Sequence, residues 1–107
     1  MDQATVEIIA AYRNSLEAMG IKAKKVVLFG SRARGQAGEF SDIDLLIVSD
    51  DFKSMDTWER MRLLGRARMG IGVPMEIFGY TEEEFSSEPP GTFMSDEVKA
   101  KGIEVVA

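Results

Sequence analysis

Gly30-Ser31 closes one apolar run, Asp42-Ile43-Asp44 opens the next with ten residues between, and Glu76 interrupts a third. A glycine at a strand end lets backbone amides approach a ligand, and a following hydroxyl adds a donor, which suits phosphate oxygens. Should Ser31 also begin a helical turn, its free amides would favour an anion. Carboxylates two residues apart at a strand start share one face, roughly 6–7 Å apart, where a divalent cation or a pair can bridge them. Ile43 faces the other way and can anchor the strand in a core. Glu76, between Met75 and Ile77, would stand on the face opposite both. Each piece also has an ordinary explanation: Asp-x-Asp ends solvated loops, Gly-Ser is a strand-to-turn junction, and a strand Glu often faces water at an edge.

Arg32 and Arg34 flank the turn and could neutralise a polyphosphate, the guanidinium fork being suited to oxyanions; solvated loop arginines are the alternative. Two better-known phosphate motifs fail. Gly30 to Gly35 has the outer spacing of a P-loop, but Gln36-Ala37 stands where Lys-Ser/Thr is required, and no G-x-G-x-x-G occurs. Phe40, Trp58 and Tyr80 could stack on a base; core packing is the expectation for Trp58, while Phe40 and Tyr80 adjoin candidate site elements. Arg60, Arg62, Arg66 and Arg68 form a helix face that is either solvated or a partner surface.

Composition narrows the metal before any motif does. The chain has no cysteine and no histidine. Thiolate and imidazole sites, cysteine nucleophiles and a serine-histidine-aspartate triad are therefore excluded, leaving oxygen ligands and hard cations such as Mg²⁺ or Mn²⁺. The net charge of −5 argues against a duplex nucleic-acid binder. It is uneven, however: residues 20–70 carry ten Lys/Arg against seven Asp/Glu, and residues 71–107 carry two against eight. A small polyanion suits the first segment.

At 107 residues, 45% hydrophobic and 29% charged, the expectation is one globular domain over residues 1–107, without room for a second substrate-binding domain. No apolar run reaches membrane-spanning length and Met1-Asp2-Gln3 lacks a signal-peptide pattern, so no membrane and a cytoplasmic location are expected.

The elements that must position these groups follow from periodicity. Ala4 to Met19 reads as an amphipathic helix stopped by Gly20. Lys24 to Phe29 is a β-branched-rich strand, Ser31 to Ser41 a turn, and Ile43 to Val48 a central strand buried beyond its first residues. Asp56 and Glu59 have capping-box spacing ahead of a helix carrying Trp58, Met61, Leu64, Gly65 and Met69, broken at Gly70-Ile71-Gly72. Pro74 to Gly79 is a third strand. Thr81 and Glu84 cap a short helix before Pro89-Pro90-Gly91, a last helix spans Phe93 to Lys101, and Ile103 to Val106 adds an edge strand. The order α-β-β-α-β-α-α-β predicts an α/β (α+β) fold, a mixed sheet with flanking helices.

At Phe29-Gly30-Ser31-Arg32-Ala33-Arg34-Gly35 followed by Ser41-Asp42-Ile43-Asp44-Leu45, the chain resembles the minimal nucleotidyltransferase family of the DNA polymerase β-like superfamily. The joint pattern is specific where its pieces are not, and it is strongest from Val26 to Val48. The resemblance implies the nucleotidyltransferase fold and Mg²⁺-dependent transfer of a nucleoside monophosphate, AMP from ATP, to a hydroxyl. It places the family's phosphate-turn glycine and serine on Gly30 and Ser31, with Arg32 and Arg34 as nucleotide-binding candidates. Its paired metal carboxylates, for two Mg²⁺ or alternatively Mn²⁺, fall on Asp42 and Asp44. The third carboxylate, usually Asp on the next strand, corresponds to Glu76, one methylene longer, as in some antibiotic-modifying relatives. Glu76 would be a metal ligand, a base for the acceptor hydroxyl, or inactive.

Larger relatives carry an acceptor-binding domain, so the acceptor here is expected from elsewhere. Many family members resemble antitoxins that attach AMP to a tyrosine of a helical HEPN-type toxin, which implies a protein acceptor and a homo- or hetero-oligomer. Two other readings stay open: an antitoxin-like module that neutralises its partner by contact alone, and transfer to a small molecule such as an aminoglycoside.

Overall fold

A nearly continuous apolar run is satisfied where a strand is covered on both faces, and Ile43–Val48 (β2), interrupted only by Asp44, is so covered beyond its first residues. The computed structural model describes residues 2–35 and 42–105. β2 lies between β1 (Lys25–Phe29), antiparallel to it, and β3 (Met75–Tyr80), parallel to it. A two-residue β4 (Ile103–Glu104) pairs antiparallel with the other side of β1, giving the order β3-β2-β1-β4. The mixed sheet with flanking helices is as expected.

Alternation divides the core. Val26, Leu28, Leu45 and Ile47 turn to one face, where α1 (Gln3–Ala18) and α2 (Thr57–Ala67) cover them with Ile9, Tyr12, Leu16, Leu64 and Ala67. Val27, Phe29, Leu46 and Val48 turn to the other, under Phe85 of α3 (Glu82–Ser86) and Met94 and Val98 of a π-helical segment, Met94–Lys99. Asp44 shares this second face with Leu46 and Val48, at the end where the cover stops.

The helix starts match their sequence signals. Asp2 caps α1 by accepting from the Thr5 amide at 2.7 Å, and both capping boxes, Asp56 with Glu59 and Thr81 with Glu84, are formed. The last helix is shorter than the stretch from Phe93 to Lys101 and π-wound. The edge strand stops at Glu104; Val106 lies outside the described residues. Among the described residues no helix is long and apolar enough to cross a membrane.

Trp58 departs from its expected place in the core. It is 65% exposed, and Met61 and Met69 are exposed with it. The spacing of Trp58, Met61 and Gly65 describes a stripe beside the one that docks. The buried stripe is Leu64 and Ala67, and one turn earlier it is occupied by the Arg60 guanidinium. Arg60 donates to the carbonyls of Phe52 at 2.8 Å, Met55 at 3.1 Å and Gly79 at 3.2 Å, and to Glu84 at 2.6 Å. Binary patterning could not separate neighbouring stripes on a helix with a cation in its contact row.

Two hydroxyls tie α1 to α2: Tyr12 donates to the Leu64 carbonyl at 2.8 Å and Ser15 to the Ala67 carbonyl at 2.6 Å. Tyr12 is fully buried, and burial pushes its phenol well above the usual range. Tyr12→Phe should cost about 1 kcal/mol of stability by deleting a buried hydrogen bond. Urea unfolding checks this, the midpoint falling while its slope is unchanged.

Candidate active site

Gly30 ends β1 with a φ of +76°, and a Cβ there would fall on Asp44 Oδ2 and lie 3.1 Å from its Cγ. Glycine is therefore required twice, for a left-handed backbone and for room under a carboxylate. The chain then turns at once: the Arg34 amide donates to the Gly30 carbonyl at 3.3 Å and the Gly35 amide to the Arg32 carbonyl at 3.4 Å. Residues at the start of such a turn have amides without intrahelical acceptors.

Strand register assembles the rest. Phe29 pairs with Asp44 across β1 and β2, and Asp44 pairs with Glu76 across β2 and β3. Parallel register partners point to one face from strands about 4.8 Å apart, so Asp44 and Glu76 stand side by side. Asp42, two residues earlier, is exposed, and its charge still reaches Asp44. Partial burial, then the charges of Glu76 and Asp42, hold the Asp44 carboxyl above the usual carboxylate range, with Arg34 opposing. Asp44 and Glu76 from two strands, with Asp42 just ahead of β2, thus share one electrostatic neighbourhood.

A cleft of about 390 Å³ opens over them, lined by Phe29, Gly30, Ser31, Arg34, Asp44 and Glu76. Two further lining residues escaped the sequence reading: Phe93 and Glu97, from the end of the chain. Phe93 is 59% exposed and meets Phe29 edge-on at 6.0 Å, an aromatic wall on which a flat heterocycle can stack. Their four-residue spacing, one helical turn, was the available signal; nothing local tied it to Gly30.

The two arginines part ways. Arg34 enters the cleft, whereas Arg32 donates to Thr5 Oγ1 at 2.9 Å, tying the turn to the start of α1. Thr5, itself buried, was not singled out in the sequence. Tyr80 stands four residues along β3 from Glu76, roughly 13 Å away, outside the cleft lining. Phe40, Ser41 and Gln36-Ala37 lie outside the described residues.

Among the described residues, no three acidic side chains form a ready coordination shell. The donor chemistry nonetheless suits a hard divalent cation: the candidate ligands are carboxylate oxygens, burial and then neighbouring carboxylates raise the Asp44 carboxyl, and a cation would offset both.

A four-stranded mixed sheet with carboxylates set against a glycine turn defines a class, and the comparisons agree with it. The chain belongs to the nucleotidyltransferase domain family, which matches residues 9–101. A Methanocaldococcus jannaschii protein provisionally named a protein adenylyltransferase is 43% identical over 68 residues, 63% of this chain and 63% of that protein. The match thus spans less than two-thirds of that relative's length. A provisionally named nucleotidyltransferase from Sulfolobus solfataricus superimposes with a TM-score of 0.67 at 24% identity, over 94% of this chain and 78% of that one. A crystal structure of a toxin-antitoxin with AMP-PNP gives 0.62 at 20% identity, over 92% and 70%. At these identities both structures speak for the fold alone.

Gly30→Ala should cost more than Gly20→Ala, although both glycines have positive φ, because residue 20 has open space and residue 30 has Asp44. An excess of about 1–3 kcal/mol is expected, and it should vanish when both changes are compared in an Asp44→Gly background. Asp44→Asn should stabilise the fold at neutral pH. A carboxyl raised in the folded state leaves the folded protein holding more protons than the unfolded one between the ordinary and raised pKa. Wild-type stability therefore falls as pH rises through that window and stays lower above it. Thermal unfolding should show the gap between Asp44→Asn and wild type closing on acidification.

Proposed function

We propose that the chain transfers AMP from ATP to a hydroxyl of a partner protein, with a helical HEPN-type toxin as the acceptor. The observation that carries the reading is the placing of Asp44 against Gly30 and beside Glu76, three groups from three segments meeting in one cleft. The family, the relative named for protein adenylylation and the toxin-antitoxin likeness support the direction of the proposal.

The division of labour follows from the cleft. Gly30 and Ser31 orient the triphosphate through backbone amides and the hydroxyl, and Arg34 offsets its charge. Arg32 acts indirectly by holding the turn to α1. Phe29 and Phe93 offer the base a stacking wall. Asp42, Asp44 and Glu76 would hold two Mg²⁺, which when bound neutralise the phosphates and make the acceptor hydroxyl easier to deprotonate. The acceptor oxygen attacks the α-phosphorus in line, the bond to the pyrophosphate oxygen breaks, and a carboxylate takes the hydroxyl proton, a role Glu76 would fill as the alternative to ligating metal. Without histidine no imidazole competes for that role.

One observation favours a second reading. Because no ready three-carboxylate shell is formed among the described residues, a module that binds its partner without transferring anything also fits.

Calorimetry should detect ATP binding only with Mg²⁺ present, and Asp42→Ala with Asp44→Ala should abolish it. With α-labelled ATP and the natural partner, label should appear on the partner and fall by about 10²–10³-fold in Asp44→Ala. Tight partner binding without label would favour the non-catalytic module.

A further inference from the structure

A groove of about 640 Å³, larger than the acidic cleft, runs along the outer edge of β3. β3 ends the sheet, so among the described residues that edge has no strand neighbour. The direction of its backbone groups follows from two bonds: the Ile43 amide donates to the Pro74 carbonyl and the Ser49 amide to the Tyr80 carbonyl. Even-numbered residues therefore face β2, and Met75, Ile77 and Gly79 face outward. The Gly79 carbonyl takes Arg60, which leaves the Met75 and Ile77 stretch as the edge that can accept a chain.

The groove's walls specify what would lie there. Met61 and Ile77 give it an apolar floor and lip, and Glu76, Glu84 and Glu88 set three carboxylates against Arg60. Arg60 is committed to Glu84 and three carbonyls, so the rim is acidic in effect. Glu76 lines both the groove and the acidic cleft, so the two adjoin at that residue.

We propose that this groove seats the acceptor: an extended basic-and-apolar segment of the partner protein, laid along β3 as an added strand and delivering its hydroxyl residue at Glu76. The inference rests on the nucleotidyl-transfer reading of the neighbouring cleft. The outward-facing groups of Met75 and Ile77 lie roughly 7 Å apart, so about three extended residues can pair there before Arg60 closes the edge at Gly79. Basic side chains are selected by the acidic rim, and apolar ones between them by Met61 and Ile77.

The test uses the full chain without nucleotide and a short synthetic peptide alternating lysine and valine around one tyrosine. A matched peptide with glutamate for lysine is the control. Trp58 is the chain's single tryptophan, exposed one helical turn before Met61, and reports occupancy by its fluorescence. The lysine peptide should shift Trp58 emission to shorter wavelength, with binding weakened by salt. Glu88→Lys and Met61→Arg should each weaken it about tenfold, while Glu104→Lys, on β4 at the opposite edge of the sheet, should leave it unchanged. Equal binding of both peptides, or indifference to both groove variants, would overturn the proposal, as would a dimer of this chain that Met61→Arg dissociates. The cleft is judged separately by the labelled-ATP assay. Label transfer that ignores both groove variants would also overturn the proposal, whereas peptide binding without any transfer would uphold the groove and discard the nucleotidyl-transfer reading.

Discussion

A half-buried carboxylate pressed against a glycine, with like charges on two sides, is the constraint around which this domain is arranged. Asp44 is held above the usual carboxylate range by burial and by Glu76 and Asp42, and beneath it Gly30 has no side chain because there is no space for one. Such a group costs stability, and natural proteins keep costly groups where function needs them. Left-handed backbone at residue 30, the immediate turn to Arg34 and the tether from Arg32 to Thr5 all serve to keep β1 ending where that carboxylate begins.

The sheet makes this possible through asymmetry between its faces. On the first face α1 and α2 cover the strands with a continuous apolar layer tied by Tyr12 and Ser15. On the second, the shorter α3 and the π-helical segment cover Leu46 and Val48 and leave Asp44 lining a cleft with Glu97 on its far wall. The same alternation that buries Ile43, Leu45 and Ile47 thus delivers Asp44 to a cleft. β2 is anchored by one face and presents Asp44 to the cleft at the start of the other.

Much of the architecture was legible because its signals are local. The nearly continuous apolar run from Ile43 to Val48, the capping boxes at Asp56 and Thr81, and the glycine stop at Gly20 each act within a few residues, and the elements fall where those signals place them. Trp58 was misplaced because its apolar stripe sits next to the docking stripe, where Arg60 stands for the expected apolar residue. Phe93 and Glu97 were missed because they join Gly30 only through packing of the chain's end over β1.

By itself the sequence determined the elements, the oxygen-only ligand set and the candidacy of Gly30, Ser31, Asp42 and Asp44, all of which follow from residue type and short spacing. Only the tertiary structure decided that Glu76 stands beside Asp44, that Arg34 and not Arg32 lines the cleft, and that a groove along β3 adjoins it at Glu76. The reason is physical: strand register and side-chain direction across a sheet depend on residues far apart in the chain, and a one-residue slip would send Glu76 to the opposite face.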